Sequence, residues 1–154
     1  MTMKDLIEDS VPLQTKLAVQ GKPFNYIGRM ELELQGGEVL YWLMDKDGGL
    51  ISIDPETEEF MIFWPIEEEI HFTGSVLIYG GDRFEFFYED QVSVVKSIGD
   101  VSFDEDVYCD FRDYENKDHQ IARTLHMKST GERRRFIGQV FLEEDIFFPE
   151  GLAL

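Results

Sequence analysis

A chain of 154 residues, 43% hydrophobic and 14% aromatic, can bury roughly two-thirds of its unfolded surface, which argues against a disordered chain and suits one compact domain. Its 32 acids against 14 bases give a net charge of −18, a field that repels phosphate backbones and anionic lipid and so disfavours nucleic-acid and membrane-surface roles. A single cysteine, Cys109, excludes an internal disulfide and points to a reducing compartment. No run approaches the roughly 20 apolar residues of a transmembrane helix, and the acidic first nine residues resemble neither a secretory signal nor a transit peptide. The expected location is the cytoplasm.

In chain order, residues 5–9 read as a single helical turn with Leu6 and Ile7 inward, ending before Pro12. Strands follow over 13–19 and 24–34, with Gly21-Lys22-Pro23 as the turn; in the second, Tyr26, Met30, Leu32 and Leu34 keep period two, and Gly28 permits a bulge. Residues 39–44 and 50–53 flank Asp47-Gly48-Gly49, a strong hairpin signal, and 60–64 completes a three-strand antiparallel meander. Alternation puts Trp42 on one face of its strand and Tyr41 and Leu43 on the other. Residues 65–70 read as a short helical turn opened by Pro65.

The second half reads as strands over 76–79, 83–89, 91–98, 107–111, 120–127 and 134–142, separated largely by glycine-containing turns. No amphipathic helix of ten to fifteen residues lies between them, which excludes a βαβ layout. The expected fold is mainly β, an antiparallel barrel or sandwich built from meanders with one or two short helical turns, in a single domain over residues 1–154. A faint echo sits at an offset of 60: Gly21, Phe24 and Tyr26 match Gly81, Phe84 and Phe86, and Leu32 and Leu34 match Val92 and Val94. Two packed half-barrels, about 13–70 and 71–148, would produce it; so would a chance match between alternating strands.

The residues that carry chemistry elsewhere do not assemble into a signature here. Asp45-Lys46-Asp47-Gly48-Gly49 opens like a calcium loop and Glu56 falls at its twelfth position, but Leu50 stands where the loop needs glycine, and no helices flank it. Asp104-Glu105-Asp106 reads as a solvated turn. His71, His119 and His126 lack metal-ligand spacing. Cys109 shares a face with Val107 and Phe111, as a small buried hydrophobe does. The glycine pairs lie between strands, where no helix follows to cradle a phosphate. No catalytic residue, metal ligand or cofactor motif is expected.

One local exception to the acidity stands out. Residues 121–135 hold Arg123, Lys128, Arg133, Arg134 and Arg135 against Glu132 alone, a net +4 that leaves −22 on the remainder. Such bases either neutralise acidic neighbouring strands or form a small anion or partner patch. In an extended strand Arg133 and Arg135 face one way and Arg134 the other, so at most two of the three serve one site.

The series Tyr41–Ile53, Phe84–Tyr88, Phe111-Arg112-Asp113-Tyr114, Ala122–His126 and Phe136-Ile137-Gly138-Gln139 resembles the bacterial YjfK-type family, often encoded beside phage-shock-type (PspA-like) and polyamine-synthesis genes. The resemblance covers about residues 24–147 and implies a β-rich accessory protein linked to envelope stress or to a neighbouring protein. It brings no activity with it.

Two readings follow. The first is a non-enzymatic acidic accessory or binding module that docks a protein partner, a basic one where the −18 field steers it, with the apolar residues 146–154 either contacting that partner or completing the last strand. The second is a small-ligand-binding β-barrel or enzyme whose anionic ligand is held by Arg133 or Arg135, with Trp42, Trp64, Tyr79, Phe84 and Tyr108 lining the interior or mouth. The candidate binding residues are Arg123, Lys128, Arg133, Arg135, Trp42 and Trp64.

Overall fold

Period-two strands are two-faced ribbons, and when both faces carry apolar residues each must be covered separately. The computed structural model, which describes residues 2–8, 11–68, 70–101, 103 and 108–147, solves this with a barrel whose interior is one core and whose outer face is covered in two places. Among the described residues it contains one short α-helix, α1 (Met3–Ile7), one 3-10 turn (Glu143–Asp145) and twelve strands. The first five are β1 (Lys16–Val19), β2 (Lys22–Leu34), β3 (Val39–Asp45), β4 (Leu50–Asp54) and β5 (Glu59–Pro65). Then come β6 (His71–Thr73), β7 (Val76–Tyr79), β8 (Asp82–Gly99), β9 (Tyr108–Glu115), β10 (Ile121–Met127), β11 (Arg133–Phe141) and β12 (Ile146–Phe147).

Eight strands close into an antiparallel barrel in the order β2-β3-β4-β5-β11-β10-β9-β8, with β8 pairing back onto β2. Two four-strand meanders, β2 to β5 and β8 to β11, therefore meet along two seams, β2 with β8 and β5 with β11. Each meander is preceded by a hairpin that leaves the ring. Strand β1 pairs with the start of β2, and β7 with the start of β8.

The two hairpins correspond at the offset of 60 seen in the sequence. Gln20-Gly21 and Gly80-Gly81 both have positive φ at the two turn residues, the I′ geometry that suits tight hairpins. Tyr26 N–H donates to the Thr15 carbonyl at 3.0 Å, and Phe86 N–H to the Ser75 carbonyl at 2.9 Å. The β2–β8 seam runs through the pair Glu33–Ser93, itself 60 residues apart.

Eight strands enclose an interior that side chains can fill. Met30, Leu32, Trp42, Leu50, Phe63, Val92, Phe111, Leu125 and Phe136 are among the residues that fill it. A second cluster covers the outside of β3 to β5: α1 and β1 lay Leu6, Leu17 and Val19 over Leu43, Ile51, Ile53, Phe60 and Ile62. The split of the two adjacent aromatics follows the alternation. Trp42 is inside, its indole N–H donating to Ser52 Oγ at 3.1 Å, while Tyr41 packs outside with its hydroxyl 3.2 Å from Glu31.

Several boundaries differ from the sequence expectation. Strand β1 begins only at Lys16, because Gln14 takes φ 74° after Pro12. Pro23 lies within β2 opposite Ala18, and the turn is one residue earlier than read. The helical turn expected over 65–70 is absent over its described residues: Pro65 ends β5 and Ile66 N–H donates to the Arg135 carbonyl at 3.0 Å, carrying the β5–β11 pairing onward. Segments 83–89 and 91–98 are one continuous strand, β8, bulged between Phe86 and Tyr88. Ile146 and Phe147 form β12 against Val19 and Ala18. The Asp104-Glu105-Asp106 turn and residues 148–154 lie outside the described residues.

Candidate functional site

Trp42 and Arg123 belong to the barrel interior, not to a binding surface. Arg123 is 2% exposed and forms a bidentate pair with Asp113, Nε to Oδ1 and Nη2 to Oδ2, both at 2.8 Å. Phe63 and Phe111 hold its guanidinium at 4.4 and 4.6 Å from their ring centres, and Trp42 stands 5.8 Å away. A buried charge is tolerated when paired and hydrogen-bonded, and the rings occupy the space around it. The other aromatics proposed as a chamber lining are scattered: Phe84 sits in a satellite cluster with Leu77 and Tyr114, Tyr79 at its edge, and Tyr108 is 56% exposed. Trp64 lies outside β5, half-buried, with the Lys22 ammonium 3.9 Å above its ring and Phe24 at 6.1 Å. The six candidate residues therefore do not form one site.

Asp45, the opening residue of the apparent calcium loop, serves its own turn. Its carboxylate accepts from the Asn25 and Asp47 backbone N–H groups, the hydrogen-bonding role of an Asx turn. Cys109 is 2% exposed within the interior cluster, and burial pushes its thiol up to about 11. The thiol therefore stays protonated through neutral pH, and Cys109 in the native protein is expected to react with a thiol-specific disulfide reagent at pH 8 at least about 100-fold more slowly than in the unfolded chain. Comparable rates would mean that the interior is open to the reagent.

The outer face of the second meander contrasts with that of the first. In the first, the row Leu43–Ile51–Ile62 runs across β3, β4 and β5 and is buried under α1 and β1. In the second, the rows across β9, β10 and β11 read Arg112–Thr124–Arg135 and Asp110–His126–Arg133. Among the described residues only the row Tyr114–Ala122–Ile137 is covered, by the satellite cluster beneath β6 and β7. Beyond it a groove of about 420 Å³ opens between Phe72 and the arginine rows. Arg133, Arg134 and Arg135 all line it; the Arg134 guanidinium packs over Phe103 at 4.7 Å and pairs with Glu132 at 2.6 Å, while Arg133 and Arg135 occupy the alternate, outward positions of β11 opposite His126 and Thr124.

A third feature lies along β8. One of its edges pairs with β9 from Glu85 to Ser93. Its other edge pairs with β7 up to Glu85 and with β2 from Val92, and Phe86 N–H is taken by Ser75. Over residues 87–91 that edge has no strand partner among the described residues, the Gln91 N–H donating instead to the Asp90 carboxylate at 2.8 Å. The equivalent edge of β2 is filled: Gln14 and Thr15 bond Tyr26, Asp100 N–H bonds the Ile27 carbonyl, and Gly28 already pairs with Gly99. The asymmetry arises because β8 runs on to Gly99 while β2 turns away after Leu34, leaving no described strand opposite residues 87–91.

The open edge is aromatic and borders an acidic cleft. Phe86, Phe87 and Tyr88 are 38, 50 and 39% exposed. Beside them a cleft of about 770 Å³ is lined by Glu38, Glu89, Asp90 and Asp110. Its two bases are already engaged, Arg112 with Glu89 at 3.0 Å and Lys128 with Asp110 at 3.4 Å. Lys128 thus neutralises a neighbouring strand. Burial, and then the Asp90 carboxylate to which its hydroxyl donates at 2.8 Å, push Tyr88 well above its usual value, so it remains a hydrogen-bond donor at neutral pH.

Comparison with protein-family models, curated proteins and solved structures finds no significant match to this chain. The YjfK-type resemblance is therefore carried by the sequence motifs alone. The open edge was missed in the sequence although one signal pointed to it: Phe86-Phe87-Tyr88 places three aromatics in succession, which period two cannot keep on one face, and the structure places the bulge there.

Proposed function

We propose that this protein is a non-enzymatic acidic binding module that docks a protein partner by strand addition, the partner supplying a basic extended segment to the β8 edge at residues 87–91. The observation that carries this reading is the unpaired edge itself. Folded proteins cover, charge or twist away such edges because their free N–H and C=O groups template further pairing, and a peptide added there gains main-chain hydrogen bonds plus side-chain pockets. Phe87 and Tyr88 supply apolar area for the partner's side chains. Glu38 and Asp90 select lysine and arginine on the incoming strand, and the −18 field steers its approach.

The test uses a fluorescent eight-residue peptide alternating lysine and valine, followed by anisotropy at two salt concentrations. Binding is expected to weaken at least about tenfold in the high-salt buffer, and again at least about tenfold in Phe87→Lys, which places on the edge the residue type that blocks strand pairing. Phe87 is half exposed, so this variant keeps the fold. Binding that ignores both salt and the substitution would overturn the reading.

A further inference from the structure

With more than two acids for every base in the chain, a base that lacks a carboxylate partner calls for an explanation. Arg133 and Arg135 are such bases: neither has an ion-pair partner among the described residues, and both line the groove beneath the β6–β7 hairpin. We propose that this groove is a site for a phosphate-bearing small molecule with an aromatic body, its phosphoryl group held between Arg133 and Arg135. The site uses neither the open edge of β8 nor its aromatic residues, so it stands or falls independently of the docking proposal.

The charge count selects the ligand chemistry. Arg112 is bonded to Glu89 and lies 5.9 Å from the Phe86 ring, and Asp110 is paired with Lys128. Arg134, which also lines the groove, is paired with Glu132 at 2.6 Å, so what remains is the pair Arg133 and Arg135, on one face of β11 with about 7 Å between their Cα positions. A phosphate monoester carries about −1.5 to −2 at neutral pH and several acceptor oxygens, whereas a single carboxylate would leave one guanidinium unmatched. Guanidinium forks favour bidentate phosphate contacts. Thr124, next to Arg135 across the sheet, adds a hydroxyl, and His126, next to Arg133, an imidazole.

The groove wall selects the body of the ligand. Phe72 is 52% exposed and fixed 6.0 Å from Tyr114, so one ring is held in place with a face free. A planar ring stacked there lies within reach of the arginines, and about 420 Å³ is the size of small-molecule sites. The first meander shows the alternative. Across its outer face the row Leu43–Ile51–Ile62 is closed over by α1 and β1; across that of the second meander the rows are Arg112–Thr124–Arg135 and Asp110–His126–Arg133, and the cover stops short of them.

The test is a nitrogen-15 chemical-shift titration at constant ionic strength with adenosine monophosphate, inorganic phosphate, adenosine and succinate. Saturable shifts are expected with adenosine monophosphate, centred on Phe72, Thr124, His126 and Arg135, with affinity at least about tenfold above inorganic phosphate and no saturation with adenosine. The R133Q/R135Q variant should lose at least about tenfold in that affinity while keeping its melting temperature. Should the double variant unfold, R133Q alone, at an exposed position, carries the comparison. Succinate binding as tightly as adenosine monophosphate, or affinity unchanged in the arginine variants, would overturn the site. Inorganic phosphate binding as tightly as adenosine monophosphate would overturn its aromatic half.

Discussion

Arg123→Leu is expected to destabilise the protein by roughly 3–5 kcal/mol, because it leaves the Asp113 carboxylate buried without its partner. Both side chains of the pair are only 2% exposed, so water cannot take over the lost hydrogen bonds. The melting temperature of a domain this size should fall by about 10 °C or more. The double variant Arg123→Leu with Asp113→Leu removes both charges and is expected to recover at least about half of the loss, since buried pairs are often replaceable by apolar residues of similar volume. Thermal and urea unfolding of the two variants check this. A double variant no more stable than the single would show that the guanidinium's seat between Phe63 and Phe111, and not its charge balance, holds the interior together.

Gly138→Ala is expected to cost about 3 kcal/mol or more, at the upper end of overpacking effects. A Cβ at this position would stand 1.9 Å from the Ile62 carbonyl oxygen and 2.7 Å from the Phe63 ring. The first of these is backbone and cannot rotate away. Gly138 pairs directly with Phe63 on the β5–β11 seam, so relief requires parting the two meanders there. Gln139→Ala, one residue on and exposed, should stay within about 0.5 kcal/mol of the parent. Equal effects from the two substitutions, measured by urea unfolding, would mean that the seam yields locally.

Much of this architecture is legible in the sequence because alternation is a local signal. It separates Trp42 from Tyr41, places Leu43 with Tyr41, and puts Arg133 and Arg135 opposite Arg134. The meander β3 to β5 follows from its turns, and the offset-60 match falls on the two hairpins and the β2–β8 seam. What alternation cannot say is which face is inside. Arg123 reads as one of a basic cluster, yet its parity is shared with Ile121 and Leu125 in the interior, and the acid that pairs with it lies ten residues back on β9.

The continuity of β8 through Asp90 was hidden for a related reason, as charged residues are cheap on a strand whose outer edge is wet. Strand β6 was missed because its three residues are all exposed and carry no period. The openness of residues 87–91 is a comparison between two distant turns, the end of β2 at Leu34 and the end of β8 at Gly99. No window of sequence contains both.

The most direct measurement of the docking claim is amide hydrogen exchange across β8, with and without the lysine–valine peptide. In the free protein the open-edge amides among residues 87–90 should exchange freely, the Gln91 N–H being held by Asp90 at 2.8 Å, while those of 93–98, paired with β2, are protected. Saturating peptide should slow at least two amides within 87–91 by about tenfold or more and leave β10 and β11 unchanged. Protection of 87–91 already complete in the free protein, or peptide-induced protection confined to other strands, would contradict strand addition at this edge.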